Sequence, residues 1–479
     1  MTFISLDYLF VYLPVVVGLY LIFRKTFLAN VIVMVASYIF YAASAAWYLI
    51  PLIITSLLDF IVGLWLSHED RPRYRRVLLI ASLSANLGLL AFFKYTPWLI
   101  GNLNLGLTAA GIGAIIPALT VTLPPGISFY TFQTMSYTIE VYRREMKPTR
   151  NLVDYMAFVT FWPHLVAGPI MRAHNLLRQL ERVRPIVTAD ETRYALMLIV
   201  WGLFKKVVLA DNFGHITDTI DDYFRANGRF AGAGLLLAYA FAGQIYCDFS
   251  AYTDIARGSA KLTGVELVPN FNTPYFAASP TEFWHRWHIS LSTWLRDYLY
   301  IPLGGNRYGR WNEYRNIMIT MTLGGLWHGA GALFILWGIW HGVMLVLNRL
   351  FPIDRHLTAL FGVAGKWLAI FITFHIVCFG WILFRAHADT IMPLLSSIPQ
   401  LFRSHRENFQ LFTDFGWGIA VLALVVAVTD YLGYRRGGEF PDLFKTLNPY
   451  ASAALAASCY LGIMLLGKRE GAQFIYFQF

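Results

Sequence analysis

The chain has 479 residues, of which 57% are hydrophobic, 16% aromatic and only 14% charged, against the roughly 25% charged residues of an average soluble domain. That composition excludes an ordinary water-soluble globule, and a mean hydropathy of +0.52 makes the bilayer the relevant solvent. The formal net charge of +10 reads as basic cytoplasmic loops and anionic-lipid contacts, not as a nucleic-acid surface.

The N-terminal stretch carries Asp7 and no basic residue before Arg24, so the first apolar run reads as a retained span, not a cleavable signal. Apolar runs near bilayer-crossing length recur at residues 8–23, 29–47, 51–66, 77–93, 106–122, 152–167, 194–210, 231–249, 316–347, 361–384, 415–432 and 451–467. They predict about eleven to thirteen membrane segments, each of about 20 residues. Arg24 and Lys25 after the first run, and Arg71, Arg73, Arg75 and Arg76 after the third, place the N-terminus outside under the positive-inside rule. The run 123–139, which carries proline and glycine, reads as a span or a re-entrant segment.

No Ser/Gly-rich linker, low-complexity tract or internal repeat interrupts the chain. The expected architecture is therefore one all-helical membrane domain over 1–479, with N-terminal spans over about 1–120, a motif-bearing core over about 121–350 and C-terminal spans over about 351–479. The stretch 256–315 is too long for an ordinary connection, and its segment 281–299 suits a helix at the interface or packed in a cavity. Cys247, Cys378 and Cys459 are widely spaced in or beside apolar runs, which suggests neither a disulfide framework nor a metal site.

Ionisable side chains inside a membrane are costly, so each is a functional hypothesis. His328, in Leu326-Trp327-His328-Gly329, shares its long apolar run with only one other ionisable group, His341. A neutral imidazole can take a proton from a hydroxyl and return it, which makes His328 a candidate general base, with a helix-packing histidine as the plain alternative. The glycines around it serve either close helix packing or a substrate chain. In Phe283-Trp284-His285-Arg286-Trp287-His288, the two histidines three apart would share a helix face. A metal site is the weaker reading there, since no second ligand cluster accompanies them. His288 reads as a partner to His328, Arg286 as facing headgroups or a phosphate-bearing donor, and the tryptophans mainly as interfacial anchors. Asp248 could hold an imidazole or an arginine, and Asp254 a helix cap. Trp162-Pro163-His164 with Gly168-Pro169 marks irregular backbone that lines a pocket or ends a helix. There is no P-loop, no dinucleotide glycine fingerprint and no G-x-S-x-G elbow.

Taken together, the segments Pro124 to Gln133, Trp162-Pro163-His164 with Ala167 to Ile170, Asp248-Phe249-Ser250, Phe283 to His288, Trp294 to Asn306, Leu326 to Gly329 and the ending Phe474 to Phe479 resemble the membrane-bound O-acyltransferase (MBOAT) superfamily, in its bacterial alginate O-acetylation branch. The resemblance runs over most of the chain. It implies a many-helix fold with a transmembrane tunnel, His328 as the principal catalytic residue and His288 as the second, with Trp327, Asp248, Arg286, Trp284, Trp287, His285 and His164 in supporting or tunnel positions. It further implies no permanent cofactor and no metal, acetyl-CoA as cytoplasmic donor, and residence in the bacterial inner membrane. The acetyl group would pass to an SGNH-type periplasmic or surface partner within a polysaccharide biosynthesis complex, for an alginate-like polymer, with cellulose or peptidoglycan as other acceptors. A related group that transfers D-alanine to teichoic acids is the alternative chemistry. A transporter or flippase, and a non-catalytic scaffold, are the alternatives of other classes.

Overall fold

The computed structural model describes residues 1–119, 121–227, 230–401, 406–468 and 474–475; Tyr476 to Phe479 of the family-like ending lie outside them. Every regular element among the described residues is helical. The chain forms two compact units, one of residues 1–195 with 256–268 and one of 196–255 with 269–479.

The first unit holds α1 (Leu13–Phe23), α2 (Leu28–Ala42), α3 (Leu49–His68), α4 (Pro72–Lys94), α5 (Thr96–Ala109), α6 (Ile127–Tyr142), α7 (Leu152–Thr160), α8 (Trp162–Leu165) and α9 (Ala173–Leu180). Ala46–His68 and Pro72–Lys94 are long and apolar enough to span a bilayer, and Tyr8–Phe23 and Leu28–Ala42 are shorter apolar helices. The run 106–122 does not continue as a helix past Ala109, because Gly111 and Gly113 take positive φ and break the hydrogen-bond ladder. The run 123–139 becomes α6, buried from Ile127 to Val141. It starts after Gly126, whose φ of +77° and approach to the Leu165 carbonyl leave no room for a Cβ. One polar group that α6 buries joins a network with α3 and α4: Thr134 donates to Asn86 at 3.0 Å, and Ser82 and Asn86 donate to Asp59 at 2.5 and 2.8 Å. The run 152–167 breaks at Phe161 into α7 and α8, whose side chains from Tyr155 to Leu165 are buried.

The remaining helices are α10 (Ala189–Phe204), α11 (Asp211–Asn227), α12 (Ala233–Lys261), α13 (Pro280–Arg286), α14 (Ile289–Leu295), α15 (Arg310–His328), α16 (Ala332–Leu350), α17 (Ile353–Arg385), α18 (Ile391–Gln400), α19 (Arg406–Arg435) and α20 (Pro449–Leu466). Four of these supply further segments able to span: Ala332–Leu350, Ile353–Arg385, Thr413–Arg435 and Pro449–Leu466. The single apolar run 316–347 folds as two antiparallel helices, α15 and α16, joined by Gly329 to Gly331. Small residues let them approach. A Cβ on Gly325 would meet the Phe334 carbonyl, and one on Gly338 the Met321 carbonyl.

Candidate active site

The segment 281–299 is not one helix. α13 ends at Arg286, Trp287 is extended and His288 takes φ +42°, ψ +54°, so His285 and His288 do not share a helix face. The break has a local cause: the N–H of Asn272 donates to the Arg286 carbonyl at 2.9 Å, and the N–H of Ile289 to the Asn270 carbonyl at 2.9 Å. These bonds tie both sides of the turn to the preceding segment, and Ser290 Oγ donates to Asn270 Oδ1 at 2.6 Å. A non-glycine residue held in the left-handed region is uncommon, and when structure enforces it the side chain is aimed where a regular helix would not put it.

His288 is thereby fully buried, its ring edge-on to Phe249 at 4.6 Å and its centre 6.4 Å from that of His328. His328 is the last residue of α15. Its ring lies 5.0 Å from Trp327, 5.0 Å from Trp337 and 5.4 Å from Phe384, each edge to face. Such pairs contribute about 0.5–1.5 kcal/mol each beyond area burial, so the imidazole is fixed by packing.

A cavity of about 380 Å³ opens from His328 and Trp337. On α15 it is lined by Ile317, Thr320, Met321, Gly324 and His328, one helix face, and on α16 by Trp337, Leu345 and Arg349. At 1.5 Å per residue that face is roughly 17 Å long. Its far end carries Arg296, paired with Asp297 at 2.7 Å, Arg349, paired with Glu313, and Tyr300, with His285 and Thr281 also lining. Gly324 lines the cavity, while Gly325 and Gly329 pack against Phe334.

The other sequence candidates fall as follows. Trp284 lines the cavity and packs edge-on to Trp337 at 5.7 Å. Trp287 and Trp327 are buried in protein, 1% and 5% exposed, so neither is an interfacial anchor. Arg286 does not line the cavity: Glu282 accepts from it at 2.8 and 3.0 Å, and Thr273 and the Asn272 carbonyl at 3.0 and 3.1 Å. Asp248 holds neither imidazole nor arginine. It pairs with Lys206 at 2.8 Å and accepts from the N–H of Ile475 at 2.7 Å, while Lys206 also pairs with Asp211 at 2.9 Å. Asp254 is not a cap but the partner of Lys205 at 2.8 Å. His164 belongs to the first unit, where it accepts from Gln133 at 2.6 Å and donates to the Phe158 carbonyl at 3.0 Å. Among the described residues no group of three or more His, Cys, Asp or Glu is placed to hold a metal ion.

Sequence reasoning passed over Lys205, Lys206, Trp337, Phe384 and Arg349, and placed Arg296 only on an interfacial segment. Two adjacent lysines inside an apolar run were the available signal for the first pair. The rings gave none, because aromatic residues are common throughout the chain.

A model of the membrane-bound O-acyltransferase family (MBOAT) matches residues 35–386. The chain belongs to the membrane-bound O-acyltransferase family. Relatives include the probable alginate O-acetylase AlgI of Pseudomonas aeruginosa, 40% identical over 464 residues, covering 95% of this chain and 85% of that one. The probable alginate O-acetylase AlgI of Pseudomonas putida is 41% identical over 390 residues, covering 81% and 77%. The peptidoglycan O-acetyltransferase of Helicobacter pylori is 36% identical over 379 residues, covering 73% and 70%. With its long apolar helices, this MBOAT protein is a multi-pass membrane acyltransferase.

Proposed function

We propose that the protein takes an acetyl group from acetyl-CoA at the cytoplasmic side of the inner membrane and passes it outward for O-acetylation of an extracytoplasmic polysaccharide, an alginate-like polymer in the first instance. The reading is supported by the names of the relatives, which are acetylases of alginate and of peptidoglycan. The observation that carries it is the cavity that joins an exposed end, where Arg296 and Arg349 stand with their carboxylate partners Asp297 and Glu313, to a buried imidazole at His328. Arg307, Arg310, Arg315 and Arg355 lie in the same stretch of chain as that end, which fits a cytoplasmic mouth under the positive-inside rule. Arginine suits the phosphates of a coenzyme A donor, and the apolar walls admit an extended thioester arm.

At the inner end, His328 accepts the proton of the attacking hydroxyl as its oxygen bonds to the thioester carbonyl carbon. The carbon–sulfur bond then breaks, and the imidazolium returns the proton to the leaving thiolate. His288 acts on the acceptor side, orienting the hydroxyl or the base. The aromatic enclosure excludes water, which protects the thioester from hydrolysis. The outward acceptor is an SGNH-type periplasmic or surface partner, which hands the group to the polymer.

Sealed vesicles test the direction of transfer. Labelled acetyl-CoA supplied on the side of the cavity mouth should label a partner or polysaccharide on the other side. Label confined to the donor side would oppose the reading.

A further inference from the structure

A second cavity, apart from the one at His328, lies between α17 and α19 and measures about 700 Å³. On α19 the small residues Gly416, Ala420, Ala423 and Ala427 line it together with Ile419 and Val426, and its opposite wall carries Trp367, Phe371 and Phe374. Ala420, Ala423 and Ala427 are exposed, so the groove opens on the surface that meets lipid. Small residues at this spacing ordinarily let a neighbouring helix approach closely. Here they border open space instead.

The groove ends on a carboxylate. Asp430 lines it, is 7% exposed, and also lines a small polar pocket with Lys205, Asp254 and Glu439. One oxygen of Asp430 accepts from Tyr246 at 3.0 Å, and the other has no hydrogen-bond partner among the described residues. A buried carboxylate oxygen left without a donor is costly. Lys205, the lysine of that pocket, pairs with Asp254 at 2.8 Å, so the partner Asp430 calls for is a cationic or hydrogen-bond-donating group.

The depth of Asp430 narrows the choice. It lies little more than one turn before α19 ends at Arg435, beside an interfacial cluster in which the Trp367 and Tyr431 rings are 6.3 Å apart and the Phe276 and Tyr434 rings 5.2 Å apart. Such aromatic clusters mark headgroup level. One turn on, the exposed Lys366 ammonium lies 5.2 Å from the Tyr434 ring centre, within reach of a phosphate. The cavity falls in the size range of small-ligand sites and is far smaller than the about 2,400 Å³ of a membrane-spanning helix of roughly 10 Å diameter and 30 Å length.

We propose that this groove is a lipid site that takes an aminophospholipid, with an alkyl chain along the α19 wall, the ammonium at Asp430 and the phosphate at Lys366.

The full-length protein, exchanged into mixed micelles with equal phosphatidylethanolamine and phosphatidylglycerol, is read by native mass spectrometry for retained lipid. The wild type should retain phosphatidylethanolamine about tenfold over phosphatidylglycerol, the size of effect expected of a charged hydrogen bond. Ala423→Phe, on the exposed face and therefore neutral to folding, should lose retention of both lipids. Asp430→Asn should keep a bound lipid but lose the preference. Should Asp430→Asn not fold, Ala423→Phe and Ala420→Leu still decide the matter. Equal retention of both lipids by the wild type, no retention at all, or full retention by the groove-filling variants would overturn the proposal.

Discussion

The imidazole rings of His288 and His328 lie 6.4 Å apart, centre to centre, with their planes at 58°. They reach that relation by different routes. One sits at the end of α15, the other in a left-handed turn between α13 and α14. Backbone and ring at His288 can therefore be separated by substitution. Asparagine tolerates the left-handed region, so His288→Asn should fold and accumulate like the wild type while acyl transfer falls about 10- to 100-fold, less than the about 100- to 10,000-fold of a lost proton-transfer group, as suits an orienting residue. Size-exclusion profiles and thiol-release rates, measured together, check this.

The glycines of α15 make a second test, because neighbouring positions have opposite roles. Leucine at Gly325 has to displace the backbone of α16, so Gly325→Leu should fail to give a monodisperse protein. At Gly324 a Cβ meets only Leu295 Cδ1, at 3.3 Å, and the side chain would enter the cavity. Gly324→Leu should therefore fold normally and lose at least about tenfold in transfer, as expected when a substrate is displaced from its productive geometry. Gel-filtration traces beside activity assays distinguish the two variants.

Lys206 is 1% exposed between Asp211 and Asp248. Removing one partner of a buried ion pair costs about 3–5 kcal/mol, because the remaining charge is left uncompensated. Lys206→Met should lower the thermal unfolding midpoint clearly, and adding Asp248→Asn should recover part of the loss. Thermal unfolding in detergent with intrinsic tryptophan fluorescence checks both variants.

The arginine-bearing end of the cavity predicts a change in affinity rather than in chemistry. Arg349→Ala and Arg296→Ala should raise KM for the donor several-fold with kcat little changed, the pattern of a uniform binding interaction. The effect should shrink as salt rises, since both groups are exposed. Initial rates at varied donor and salt concentrations test it.

Much of the site was legible in the sequence because rare residue types stand in a setting that discourages them. His328 and His288 are examples. What stayed hidden depended on partners distant in the chain. The break after Arg286 is enforced by Asn270 and Asn272, which carry no signature of that pairing. The turn at Gly329 to Gly331 leaves the hydropathy of its run unbroken, so two helices read as one. Asp248 was visible as a buried acid, but its partner Lys206 lies 42 residues earlier, and arginine or histidine was the natural guess. Arg286 was read as facing headgroups or a phosphate-bearing donor because tryptophan and arginine together suggest an interface, whereas it pairs with Glu282, four residues earlier on α13, and lies outside the cavity lining.

In the proposed mechanism His328 carries proton transfer in the acyl-transfer step. The direct measurement is release of free thiol from acetyl-CoA by the purified protein in liposomes, with its partner and acceptor present, for the wild type, His328→Ala and His328→Gln. Loss of about 100- to 10,000-fold in both variants, with unchanged size-exclusion and thermal profiles, is the expected result. Turnover equal to the wild type in either correctly folded variant would contradict it.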